Sequence, residues 1–456
     1  MDDPATRRTR PARRLTAVFL VLLSALFAQG CREVASLRER VGPASPHEAY
    51  ARSLRRAGLH EAALGREWIG AGERALRGAH PVTLPHREAV FFPPEEAHAA
   101  GFGFRLRQGE RLRVEVELGA GWQGRAFVDL FLVPEDTGSV PRRLSSADST
   151  PAGLTWVARE DGAYRVRVQP ELLRGGRLTL TLRTGPSLAF PVPERDSRAV
   201  GSAFGAPRDG GSREHHGIDI FAPRGTPVVA AAGGTVRSVE TTGIGGKVVW
   251  LWDGEQRLSI YYAHLDSQAV EAGARLRAGD TLGTVGNTGN ALGTPPHLHF
   301  GIYRPGRGPV DPYPFVHVPR AGPPEVRVEV DDLGAWRRTT AATRLRAAPA
   351  EQRAGGRDVA RHVPVRPLGG SGAWYRVRLP DGAEGYLSAR GTEPAARPLR
   401  SIRLPGGRLV LSRPVGDAPA VDSLPAGADV PSLGEFGGSV LVRTPAGRLG
   451  WVLRPE

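Results

Sequence analysis

The chain has 456 residues, a formal charge of +14, 40% hydrophobic and 24% charged residues, and one cysteine. At about 150 residues per domain this length corresponds to roughly three domains. The composition is too polar for a multi-span membrane protein, and a single cysteine excludes an internal disulfide framework or a cysteine-rich zinc finger. The 59 glycines and 40 prolines, with 7% aromatics, predict many turns and short strands and exclude an all-helical fold. Lys247 is the only lysine, so the positive charge is almost all arginine, which reflects GC-rich codon usage as much as an anionic partner.

Residues 1–31 open with Arg7, Arg8, Arg10, Arg13 and Arg14, continue through an apolar run from Leu15 to Ala28, and end at Gly30-Cys31. This is the layout of an export signal. The apolar run is shorter than the roughly 20 residues a membrane-crossing helix needs, so the pattern favours cleavage over a permanent span. Ala28-Gln29-Gly30-Cys31 resembles a bacterial lipoprotein box, although Ala28 and Gln29 depart from its usual residues. That resemblance implies a lipid on Cys31 and a cell-envelope location, anchored in the periplasm, with the outer membrane as one destination. The alternative is an ordinary signal peptide that leaves one free thiol. Loss of residues 1–30 removes five arginines and two aspartates and leaves a charge of +11.

Within the segment 32–80, Ser45, Pro46 and Glu48 match an N-cap, a first-turn proline and a capping-box acid, and Gly58 separates two helix-sized pieces, which predicts a short helical hairpin. From 81 to 190 the hydrophobic period becomes two, as in Leu112, Val114, Val116, Leu118, then Tyr164, Val166, Val168, and Leu178, Leu180, Leu182, which predicts a β-sandwich. Proline-rich connectors at Pro191–Pro193 and Pro319–Pro324 bracket residues 196–318. Beyond them, Val377–Tyr386 aligns with Val442–Trp451 at an offset of 65, so two copies of one small β-module follow, at 325–393 and 397–456. The stretch "WYRVRLPDGAEGYL" after "TRLRAAPA" resembles the bacterial SH3-like domains appended to wall-active enzymes. Such modules dock on wall polymer or pack against a catalytic domain, and both readings are open.

Five of the twelve histidines lie between 215 and 299: His215, His216, His264, His297 and His299. Histidine is the commonest metal ligand and a good base near neutral pH. In "PPHLHFGIY" strand alternation predicts His297 and His299 on one face, with Leu298 and Phe300 in the core. In "EHHGIDIF" Asp219 follows His215 by four residues among Ile218, Ile220 and Phe221, where a carboxylate needs a cation or a dense set of donors. Gly217 permits close approach there. Either motif alone is as well explained by packed or solvated side chains. The two together, with "YYAHL" between them, are not. The chain's only asparagines, Asn287 and Asn290 in "GNTGN", predict left-handed turns that shape a groove wall.

The stretch from "GSAFGAPRDGG" through "HHGIDIF" and "YYAHLDS" to "GTPPHLHFGIY" resembles the lysostaphin-type zinc metallopeptidases, the glycyl-glycine endopeptidase family that cuts peptidoglycan cross-links. The resemblance covers residues 196–318. It implies one catalytic Zn2+ held by His215, Asp219 and His299, with His264 and His297 as catalytic histidines and His216 as a non-ligand. Two departures are the double proline before His297 and the shift of Arg208 from the position of the family's usual arginine. The predicted fold is therefore mainly β and multidomain: an N-terminal helical hairpin, a β-sandwich, an antiparallel β-sheet metallopeptidase core and two small SH3-like β-barrels.

Three protein ligands leave a fourth tetrahedral position for water, as in catalytic rather than structural zinc sites. No HExxH glutamate is present, so His264 or His297 would handle protons. The implied function is hydrolysis of peptide cross-links in peptidoglycan stems. The alternative is a non-catalytic regulator that binds and activates a wall amidase, against which the complete histidine–aspartate set argues. Nucleic-acid binding lacks a basic–aromatic motif and conflicts with export.

Overall fold

The computed structural model describes residues 45–136, 139–148, 153–350 and 355–454. The segment read from the sequence as an export signal, with Cys31, lies outside the described residues. Among those described, no helix is long and apolar enough to cross a membrane. The fold is mainly β.

Ser45 caps the helix Pro46–Arg56: its hydroxyl accepts from the Glu48 N–H, while the Glu48 carboxylate accepts from the Ser45 N–H. A second helix, Ala63–Arg77, follows a left-handed turn at Gly58. The first helix packs on the strand Ala126–Val133 and the second on Ala100–Leu106 and Gly162–Pro170, with Ala51, Leu54, Trp68 and Phe127 in one cluster. The Trp68 indole N–H donates to the Pro170 carbonyl at 2.8 Å.

Two sheets then face each other across a core of alternating residues that includes Leu112, Val114, Tyr164, Val166, Leu178 and Leu180. One sheet runs in the order His80–Pro81, Ala100–Leu106, Gly162–Pro170, Ala126–Val133, Arg142–Ala147. The other runs Gly153–Val157, Glu110–Leu118, Gly176–Pro186, His86–Phe92 and does not stop there. Its last strand pairs with Pro364–Ser371 through Ala89 opposite Gly370 and Val90 opposite Gly369, and the sheet continues through Trp374–Arg378 and Glu384–Ser388. Chain segments nearly 300 residues apart thus share one sheet.

The junction is polar inside. Arg376 and Glu88 are both fully buried, and Arg376 Nε donates to Glu88 Oε1 at 2.7 Å. Tyr386 donates its hydroxyl to Glu88 Oε2 at 2.8 Å, and His98 Nε2 meets Glu384 Oε1 at 3.2 Å.

The strands Pro364–Ser371, Trp374–Arg378 and Glu384–Ser388 recur as Asp429–Phe436, Ser439–Arg443 and Leu449–Leu453, each 65 positions later. The offset read from ten residues therefore extends over three strands.

Between sandwich and repeat, residues 200–310 build a separate antiparallel sheet in the order Val200–Ser202, Ile218–Phe221, His297–Arg304, Leu258–Gln268, Gly246–Asp253, Gly234–Thr242, Arg275–Leu276. Ile218, Ile220, Ile260, Tyr262, Leu298 and Phe300 fill the core on one face. The sheet is anchored to the sandwich where the Leu188 N–H donates to the Phe315 carbonyl, Arg111 Nη2 donates to Ser187 O, and Arg107 pairs with Asp311 at 2.6 Å.

Candidate metal centre

The free face of this sheet carries the histidines. Ile218–Phe221 and His297–Arg304 run antiparallel with Asp219 directly opposite His299 and Phe221 opposite His297. With Ile218, Ile220, Leu298 and Phe300 inward, alternation places Asp219, His297 and His299 together on the other side. Phe221 lies on this face too, exposed at 37% with its ring 5.2 Å from that of His297. The expectation that it encloses Asp219 with the isoleucines is corrected: it covers His297 from outside.

His215 enters from the preceding hairpin, held where its N–H donates to Ala206 O and its carbonyl accepts from the Gly205 N–H. Its ring Nδ1 donates to the Ala203 carbonyl at 2.8 Å. A carbonyl only accepts, so this bond fixes the proton on Nδ1 and turns the Nε2 lone pair inward. The same device orients His264, through Thr288 O at 2.9 Å, and His297, through Pro295 O at 2.9 Å.

His264 reaches the site by a different route. Ile260 and Tyr262 of its strand point into the core, and simple alternation would send His264 after them. Its φ of 60° breaks the alternation, so that Leu265 enters the core instead and the His264 ring stands 5.1 Å from His297 and 5.9 Å from His299. A left-handed non-glycine residue costs on the order of 1–3 kcal/mol and persists where surrounding structure enforces it. Here the His264 N–H is held by the Gly245 carbonyl.

His215 Nε2, Asp219 Oδ1 and His299 Nδ1 converge at 2.9, 3.1 and 2.9 Å from one another. Among the described residues these three side chains form a group that could hold a metal ion. A point about 2.0–2.2 Å from all three, the zinc–nitrogen and zinc–oxygen range, fits atoms so spaced. With the His215 proton committed to Ala203, a lone pair and a carboxylate oxygen face each other at 2.9 Å, an arrangement that requires a proton or a cation between them.

Asp219 is tuned to stay ionised. Burial alone would raise its pKa, but the proton or cation shared with the facing His215 and His299 nitrogens outweighs burial and holds it well below the usual carboxylate range. Its second oxygen accepts from Arg208 Nη2 at 2.7 Å, and the same nitrogen donates to Ser202 Oγ at 2.6 Å. Burial also lowers His264 to about 4, assisted by the nearby His297 and His299, so its imidazole is neutral near pH 7.

His216 is exposed and lies outside the ligand cluster. The expectation for Asn287 and Asn290 is corrected: neither takes a positive φ, and Gly289 between them, at φ 71°, makes the left-handed turn. Asn287 acts through its side chain, donating to Thr294 O at 3.1 Å and accepting from Arg224, so it ties the loop ends together. The role of Arg208 against Asp219 was not readable from spacing, because the hairpin Pro207–Arg208 with Arg213–Glu214 folds it back toward the strand Ile218–Phe221.

Gly217 is required by close approach. A Cβ there would lie 2.7 Å from the His299 ring and 2.6 Å from the Phe300 carbonyl. Gly217→Ala is expected to displace His299 and weaken metal affinity by about 10–100-fold, comparable to the loss of a supporting contact, with the fold kept. Competition against a chelator of known affinity measures this, and unchanged affinity would show that the approach is not needed.

Residues 213–312 match the family described as Peptidase family M23. The L-Ala--D-Glu endopeptidase of Bacillus subtilis is 36% identical over 139 residues, covering 28% of this chain and 42% of that protein. Peptidoglycan DD-endopeptidase ShyC of Vibrio cholerae is 36% identical over 116 residues, covering 25% and 26%. The chain thus spans less than half the length of these curated relatives. The solved catalytic domain of lysostaphin from Staphylococcus simulans is 31% identical, covering 25% of this chain and 89% of that one, with a TM-score of 0.23.

Proposed function

The chain carries a domain of peptidase family M23 at residues 213–312, and from that premise we propose that it is a zinc-dependent endopeptidase hydrolysing peptide cross-links of bacterial peptidoglycan. The observation that carries this reading is the convergence of His215, Asp219 and His299 beside two further inward-facing histidines. In this reading residues 196–318 hold the chemistry. The flanking sandwich and the two SH3-like modules position it in the envelope, and Cys31 is the lipid-bearing anchor.

Zinc held by His215, Asp219 and His299 supplies Lewis acidity toward a peptide carbonyl and an attacking water. Arg208 holds the far oxygen of Asp219, leaving Oδ1 for the ion. His264 and His297 have their Nδ1 protons committed to carbonyls, so each offers Nε2 to the reacting groups. One accepts the proton of the water through its Nε2 lone pair, and the other supports the oxyanion only in the form that carries a proton on Nε2 as well. Neutral His264 is competent as an acceptor.

The test uses the mature protein, purified sacculi and defined cross-linked dimers. The expected result is one zinc per chain and conversion of dimers to monomers, abolished by chelation and restored by zinc. A zinc-loaded protein that leaves cross-links intact while stimulating an amidase would replace this reading with that of a regulator.

A further inference from the structure

The turn between the two N-terminal helices faces outward. Pro46–Arg56 buries His47, Ala51 and Leu54, which leaves Arg52, Arg55 and Arg56, at spacings of three and four, together on the solvent side. Beyond Gly58 the chain folds back so closely that a Cβ on Gly65 would lie 1.9 Å from the Leu59 carbonyl oxygen. Leu59 and Leu64, on either side of that contact, stay exposed at 44% and 42%. Ala62 and Ala63 between them are exposed as well.

Charge at this tip is one-sided. Among the described residues Arg52, Arg55 and Arg56 form no side-chain hydrogen bond or ion pair. Arg66 is pinned where its Nη1 donates to the Glu61 carbonyl at 2.7 Å, a contact that leaves its charge unneutralised. Glu67 is already paired with Arg74 at 2.7 Å, so these four arginines are offset only by the Glu61 carboxylate. Arg55 and Arg56 also complement the C-terminus of their helix. That role accounts for neither Arg52 nor Arg66, nor for two leucines left in water beside them. Apolar side chains flanked by unpaired arginines match a surface that enters the headgroup layer of an anionic bilayer.

The chain ahead of the hairpin supplies the occupant. Fourteen links separate Cys31 from Ser45, and at about 3.3–3.6 Å per residue they span at most about 50 Å. The helix Pro46–Arg56 adds about 16 Å. A lipid on Cys31 therefore keeps the tip within roughly 70 Å of the bilayer, and tethering at that range lets even a weak contact be populated. We propose that Leu59, Leu64 and the arginines around them dock on the anionic phospholipid surface of the membrane that carries this anchor. The identification of that membrane rests on the reading of Cys31 as lipid-bearing. The hairpin is fixed to the sandwich through Trp68 and Pro170, and the sandwich to the sheet that carries the histidines through Leu188 and Phe315. Docking would thus set the height and orientation of that sheet above the bilayer.

The experiment uses the full mature chain with Cys31→Ser, so that no acyl chain contributes. It is sedimented with phosphatidylcholine vesicles, with or without about one-third phosphatidylglycerol, at about 0.1 M salt. The expected result is binding at least about tenfold tighter to the anionic vesicles. Arg55→Gln with Arg56→Gln should lose about tenfold of it. Arg403→Gln with Arg413→Gln, which removes the same charge from exposed positions of the second repeat copy, should change it less than about twofold. Leu59→Ser with Leu64→Ser should weaken it at least about fivefold. Equal losses in the two arginine pairs would assign binding to overall charge, and an undiminished response in the leucine pair would assign it to an anionic polymer. Either outcome, or no preference for anionic vesicles, would overturn the proposal. Acylation is read separately, from the mass of the native chain. An unacylated native chain whose tip still binds overturns the anchor and leaves the docking, and because no hydrolysis is followed, failure here leaves the endopeptidase reading standing.

Discussion

His299→Ala is expected to abolish metal retention and to lower cross-link hydrolysis by about 10³-fold or more, whereas His264→Ala should keep the metal and lose about 10²–10⁴-fold in kcat. The difference follows from position. His299 Nδ1 is one corner of the triangle with His215 and Asp219, so its loss leaves two donors for an ion that needs three. His264 stands outside that triangle, with its Nδ1 tied to Thr288 O and its ring beside His297 and His299. Metal content by mass spectrometry and turnover of a defined dimer separate the two effects. If His264→Ala lost the metal as completely as His299→Ala, the division between ligands and proton-handling histidines would be wrong.

Arg376→Met is expected to cost about 3–5 kcal/mol of stability in the sandwich and first repeat copy, because it strands the Glu88 carboxylate where no water reaches it. Both residues are fully buried. Replacing both, as Glu88→Leu with Arg376→Met, should cost less than the single change, since an apolar pair carries no uncompensated charge. Denaturant unfolding measures this, and an equal loss in single and double variants would show that the charge pairing is not what holds the junction. The same pair predicts an acid limit. Burial would raise the Glu88 pKa, but Arg376 and His86 outweigh it and bring it to about 2, from an ordinary value of 4.5. Its contribution is therefore complete above about pH 4.5 and is lost as pH falls toward 2. A sandwich that unfolds without pH dependence across that window would contradict the assignment.

The ligand face was legible in sequence because β alternation is a short-range rule. Leu298 and Phe300 declared which way His297 and His299 point, and the observed register set Asp219 opposite His299. The capping box at Ser45 and Glu48 and the repeat offset of 65 were legible for the same reason, as local patterns. His264 was legible as a residue but not as a geometry. Alternation sends it into the core, and only the left-handed backbone held by Gly245 returns it to the site. Asn287 misled because its type permits two uses, a left-handed turn and a side-chain tie, and the loop uses the second. The shared sheet at Ala89 and Gly370 had no local signature, since edge-to-edge pairing across that separation depends on tertiary placement alone.

That sheet also imposes an order of events on the chain. The strand His86–Phe92 emerges early, yet its neighbour Pro364–Ser371 and the guanidinium that neutralises Glu88 are made far later. Until then the sandwich presents an open strand edge and a carboxylate awaiting its counter-ion, both of which oppose stable closure. The sheet that carries the histidines, complete by residue 310, has no such wait. The chain can thus complete this sheet while its two ends are still unjoined. Once they join, they grip both connectors of the sheet that carries the histidines, so a single proteolytic cut in either one would leave it attached.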